Sequence, residues 1–66
     1  MTTNSYLIRV QNESLAVTRV ALGQLGGIVE YEYPDAIFTD FLVLLTTEML
    51  DHLVSVVPDI VIVQGL

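Results

Sequence analysis

Apolar and polar positions change period several times along this chain, and each change marks an element. Tyr6-Leu7-Ile8-Arg9-Val10 alternates with a period of two, the pattern of a half-buried strand. Asn12 then stands where a helix cap would stand, with Glu13 in the first turn, where a carboxylate favours the positive end of the helix dipole. Leu15, Val17, Val20, Ala21, Leu22 and Leu25 follow at helical spacing. Gly26-Gly27 stops this helix, because glycine accepts the left-handed conformation after a last turn. Gly23 inside it is a weak point, costing up to ~1 kcal/mol against alanine; a close backbone approach would account for it.

From Ile28 the period returns to two, with Val29, Tyr31 and Tyr33 set against Glu30 and Glu32. Pro34-Asp35 is a turn signal, and Phe38 to Leu45 reads as a third strand. Thr46 or Thr47 caps a second helix near Glu48, and Leu50, Leu53, Val54 and Val57 give that helix one apolar face. Pro58-Asp59 ends it, and Ile60 to Val63 forms a last strand. The order β-α-β-β-α-β over residues 1–66 predicts one α+β domain of the ferredoxin-like, split β-α-β architecture. It has a four-stranded antiparallel sheet in the order 4-1-3-2, with both helices on one face.

The same alternation assigns side chains to faces. Tyr6, Ile8 and Val10 suit the helix-covered face, as do Val29, Tyr31 and Tyr33, and Phe41, Val43 and Leu45. Leu7, Arg9 and Gln11, Glu30 and Glu32, and Asp40, Leu42 and Leu44 are then expected on the open face. That face has an apolar middle beside an acidic flank of Glu30, Glu32 and Asp40. An exposed apolar patch of this kind marks an interaction surface.

Composition narrows the partner. Hydrophobic residues make up 53% of the 66 and charged residues 15%, which excludes a disordered chain. Two basic residues against eight acidic ones leave a net charge of −6, a poor match for nucleic acid or for an anionic membrane. No apolar run approaches the roughly twenty residues of a membrane-spanning helix. The first residues lack the basic start and apolar stretch of a signal peptide, so the default expectation is a cytoplasmic location.

Catalytic chemistry has little to work with. His52 is the single histidine, four residues after Glu48, and the chain has no cysteine, so a zinc site would lack ligands and no cofactor is expected. Ser5, Ser14 and Ser55 stand in no nucleophile elbow, and there is no lysine. Leu25-Gly26-Gly27-Ile28 runs from helix to strand, opposite to a phosphate-binding loop. These absences argue against an enzyme and towards a binding module.

Several local patterns, taken in order, resemble one family. Leu25-Gly26-Gly27-Ile28-Val29 is similar to the helix-stop-strand of subtilisin propeptides and the related free protease inhibitors. Tyr33 followed by Phe38 and Phe41 resembles that family's Tyr and its Phe-x-x-Phe strand, and Tyr6-Leu7-Ile8 its opening strand. Leu45-Thr46-Thr47-Glu48 with Leu50 and Leu53 resembles its second helix start, and Val57-Pro58-Asp59-Ile60-Val61-Ile62-Val63 its ending. The resemblance spans residues 6–64. It implies a partner, a subtilisin-like serine protease, gripped by the open sheet face. Glu30, Glu32 and Asp40 would meet the N-termini of protease helices. Val63, Gln64, Gly65 and Leu66 would lie in the substrate cleft as a product-like strand, with Leu66 next to the catalytic serine. Two other readings stay open: a self-assembling or scaffold protein that uses the same apolar face as a homo-oligomer contact, and an acidic decoy for a basic protein surface.

Overall fold

Two strands with strict alternation build the centre of the molecule. In the computed structural model, which describes residues 2–65, β1 (Asn4–Gln11) and β3 (Phe38–Leu45) pair antiparallel from Asn4↔Leu45 to Gln11↔Phe38 without interruption. Alternate residues of this ladder form the buried side: Ile8 and Val10 on β1, with Tyr6 partly buried, and Thr39, Phe41, Val43 and Leu45 on β3. β2 (Ile28–Pro34) adds to the outer side of β3, and β4 (Val61–Gly65) to the outer side of β1. The sheet order is β2-β3-β1-β4, all antiparallel. With α1 (Leu15–Leu25) and α2 (Thr47–Val56) this is the α+β, ferredoxin-like split β-α-β fold expected from the element order.

The helices contribute Ala21 and Leu22 from α1 and Leu50 and Leu53 from α2, and the core closes with Val57 and Ile60 after α2. α2 follows its apolar pattern, with Val54 half-buried beside the core. Thr46 is its cap, the Oγ1 accepting from the Met49 amide at 3.1 Å. α1 is rotated from the expected face. Val17 and Val20 are 47% and 59% exposed, while Thr18 is fully buried. Burial of a threonine is tolerated because its hydroxyl donates to the Ser14 carbonyl, one turn back, at 2.7 Å.

Asn12 does not cap α1 with its side chain. A short 3-10 turn (Asn12–Ser14) leads into the helix instead, and the Asn12 amide reaches across to the β2–β3 turn. Its Nδ2 donates to the carbonyls of Asp35 and Ala36 at 3.0 and 3.2 Å, and its Oδ1 accepts from Thr39 Oγ1 at 2.8 Å. Its backbone N–H donates to Ile37 at 3.0 Å. One asparagine thus satisfies turn carbonyls that have no ladder partner and gives the buried Thr39 hydroxyl an acceptor. On the other side of the same 3-10 turn, Ser14 Oγ donates to the Asp59 carboxylate and ties it to the α2–β4 connection.

α1 ends as its glycines require. Gly26 has φ 78°, and the Gly27 amide donates to the Leu22 carbonyl at 3.0 Å, a Schellman closure. The close approach lies at Gly27: a Cβ there would sit 2.6 Å from Leu45 Cδ2 and 3.3 Å from Leu22 Cδ2. The space around Gly23 is open, so no close approach explains that residue. Gly23→Ala is therefore expected to stabilise the domain by roughly 0.5–1 kcal/mol, read as a rise in Tm of about 2–8 °C. Asn12→Ala, which strands the turn carbonyls, is expected to cost about 1–2 kcal/mol in a urea denaturation series.

Candidate functional site

Both helices lie on one face of the sheet, and the opposite face is uncovered. Its side chains follow from the register. One row crosses all four strands as Tyr31, Leu42, Leu7 and Gln64. The next reads Tyr33, Asp40, Arg9 and Val61, and a shorter one Ile28, Leu44 and Ser5. Phe38 stands opposite Gln11 at one end. Leu7, Leu42 and Leu44 are half-buried by their neighbours. Ile28, Tyr31 and Tyr33 remain 58%, 62% and 51% exposed.

An ion pair sits within this apolar field. Arg9 Nε donates to Asp40 Oδ1 at 2.8 Å and Nη2 to Oδ2 at 3.1 Å, a two-pronged contact. The Arg9 guanidinium also lies over the Phe38 ring, 4.6 Å from its centroid. The hydrogen bond to Asp40 raises the guanidinium above its ordinary pKa, and an arginine is charged at any ordinary pH in any case. The pair neutralises itself and fixes the two polar side chains flat against the sheet. Beside it Leu7, Tyr33, Asp40 and Leu42 line an open depression of about 330 Å³.

β2 overturns part of the expected face assignment. Val29 pairs with Val43 and Tyr31 with Leu42, so Glu30 is an extra residue, a β-bulge. A bulge reverses the phase of all that follows. Tyr31 and Tyr33 therefore point to the open face rather than the core, where their rings stack with centroids 6.1 Å apart. Glu32 moves to the helix face beside Phe41. There Arg19 of α1 meets it, with Nη2 at 2.9 Å and Nε at 3.0 Å from Oε1. A cationic partner on the helix side makes that position acceptable to a carboxylate.

The expected acidic flank therefore does not assemble. Of its three members, Asp40 stands on the open face already paired with Arg9, Glu30 sits at the β2 bulge, and Glu32 lies on the opposite side of the sheet. Leu7, Leu42 and Leu44 come together as expected. In the last strand Gln64 pairs with Leu7 on the open face, and Gly65 pairs with Tyr6. Val63 is the extra residue of a second bulge, between the pairs Leu7↔Gln64 and Ile8↔Ile62. Leu66 lies outside the described residues. Sequence reasoning missed Ile28, Tyr31, Tyr33 and Phe38 as members of the face. A pairing of Glu32 with Arg19, thirteen residues earlier on the helix side, is the signal that could have corrected the phase of β2.

His52 is exposed on α2. Among the described residues no group of three or more His, Asp or Glu side chains could hold a metal ion. No family model matches the chain, and neither a curated protein nor a solved structure does.

Two adjacent residues separate the face from the core. Leu42→Asp, on the open face, is expected to cost about 1–2 kcal/mol and keep the native far-UV circular dichroism. Val43→Asp buries an unpaired carboxylate at a cost of several kcal/mol, on the order of the whole stability of so small a domain, and is expected to leave the chain unfolded at room temperature.

Proposed function

We propose that this protein is a protein-binding module that docks through the open face of its sheet, with a subtilisin-like serine protease as partner. The observation that carries the reading is the uncovered face itself: rows of Leu, Ile, Tyr and Phe side chains around a self-neutralised Arg9–Asp40 pair. Solvated sheet faces alternate to polar side chains, and this one does not. Aromatic side chains and an arginine held in place are the residue types that anchor protein contacts. The resemblance to propeptide-like inhibitors supplies the partner class, a protease that offers two helices to such a face.

The geometry shifts the weight of the contact. With Glu32 on the other side of the sheet and Asp40 paired, anchoring falls on apolar burial more than on carboxylates at helix N-termini. Val63, Gln64 and Gly65 belong to β4, so a cleft-bound tail would have to leave the sheet. Docking by the face and occupation of the cleft are thus separable.

Calorimetric titration of the chain into a subtilisin-class protease whose catalytic serine has been replaced tests the docking. Binding at micromolar strength or tighter is expected, and Leu42→Asp should weaken it at least ~30-fold, the equivalent of about 2 kcal/mol. A parallel titration against the active protease with a chromogenic peptide reports on the tail through competitive inhibition. Absence of binding heat together with undiminished proteolysis overturns the reading.

A further inference from the structure

The open face continues past the row of Tyr33, Asp40, Arg9 and Val61. The Asp35 amide donates to the Phe38 carbonyl at 2.9 Å, one step beyond the pair Pro34↔Thr39. Thr39 is buried on the helix side, so alternation puts Asp35 and Phe38 on the open side, where Gln11 stands opposite Phe38. The Arg9 guanidinium over the Phe38 ring marks the same side. Asp35 is exposed, and its surroundings hold it still. Its Oδ1 accepts from the Ala36 amide at 2.8 Å, and Asn12 Nδ2 grips the Asp35 and Ala36 carbonyls at 3.0 and 3.2 Å. Among the described residues the ion pairs join Arg9 to Asp40 and Arg19 to Glu32, which leaves Asp35 without a cation of its own. The Arg9 pKa is raised first by the hydrogen bond to Asp40 and further by the charges of Asp40 and Asp35, so one guanidinium answers to two carboxylates.

We infer that Asp35 orients the docked partner, which covers the leucine and tyrosine rows with apolar side chains and sets a lysine or arginine against the Asp35 carboxylate. The inference rests on docking through the open face and adds the chemistry of the surface that docks. Apolar burial is non-directional, so the rows of Leu, Ile and Tyr alone would accept a partner either way round. The charge at the β2–β3 turn removes that freedom. In one orientation it meets a cation; in the other it is pressed against apolar surface and loses water without a partner. A cation is the fitting complement, because the chain carries a net charge of −6 and both its arginines are engaged by carboxylates of their own chain. A carboxylate already fixed by Ala36 and Asn12 also loses little freedom on pairing. Asp35 was not among the acids that the strand pattern put on this face, since it lies past the end of β2 and only the hairpin closure places it there.

The test needs no protease. The full chain, labelled with nitrogen-15, is titrated with a synthetic amphipathic helical peptide whose leucine stripe is bordered by lysines, and amide shifts are followed by NMR. Salt at 0.15 M screens charges more than about 8 Å from the contact. Two variants remove one negative charge each: Asp35→Asn at the face, and Asp51→Asn on α2, on the other side of the sheet. Asparagine keeps an oxygen for the Ala36 amide, circular dichroism verifies the fold, and Asp35→Ser repeats the test should the amide disturb the turn. Shifts on β1, β3 and residues 33–38 are expected. Asp35→Asn should raise the dissociation constant roughly 3–5-fold, and Asp51→Asn by less than about 1.5-fold. Equal weakening by the two variants, with the shifts still on the open face, overturns the inference and leaves the docking reading standing. Shifts gathered on α2, or absent, overturn it as well, and the protease titration decides the docking reading separately.

Discussion

The uninterrupted pairing of β1 with β3 is the constraint on which the rest of this molecule depends. Side chains alternate across a strand, so eight consecutive pairs, from Asn4↔Leu45 to Gln11↔Phe38, sort sixteen side chains into two populations at once. One population, with Ile8, Val10, Phe41, Val43 and Leu45, is the floor of the core on which both helices rest. The other, with Leu7, Arg9, Asp40 and Leu42, is the open face. A slip of one residue in this ladder would exchange the two, placing Arg9 and Asp40 beneath the helices. That cost in buried charge fixes the register more firmly than any turn does.

What was legible in the sequence followed the elements whose pattern has one reading. β1 and β3 alternate and are central, so period alone places Ile8 and Phe41 inside and Leu7 and Leu42 outside. The cap at Thr46 and the stop at Gly26 are local chemistry and were equally readable. β2 also alternates, but alternation does not reveal a bulge: inserting Glu30 keeps the written pattern and inverts its meaning for Tyr31, Glu32 and Tyr33. The deciding contact, Arg19 to Glu32, is tertiary. α1 failed for a different reason. Thr18 counts as polar in any periodicity, yet a hydroxyl bonded to its own helix behaves as a small core residue, and the apolar stripe turns towards it. Asn12 carries a capping residue's chemistry, spent on the turn carbonyls of Asp35 and Ala36 rather than on helix amides.

Of the candidate site, the apolar centre was legible and the charged surround was not. Leu7, Leu42 and Leu44 owe their place to the central ladder. The carboxylates depend on where the two arginines lie, one on each side of the sheet. Each arginine draws one acid towards it, and the expected acidic flank separates as a result. The periodicity ends the last strand at Val63, and the family resemblance implies a cleft-bound segment from Val63 onward, whereas Gln64 and Gly65 pair with Leu7 and Tyr6 as the end of β4.

None of the residues of β2 is buried; all seven are exposed. The interior of this domain is therefore encoded on β1, β3 and the helices, and an entire strand of the open face is encoded apart from it. Substitutions at Ile28, Tyr31 or Tyr33 change what that face recognises without opening a cavity. In evolutionary terms, the lineage of such a domain can change partners at nearly constant stability, because recognition and folding draw on different positions of the same sheet.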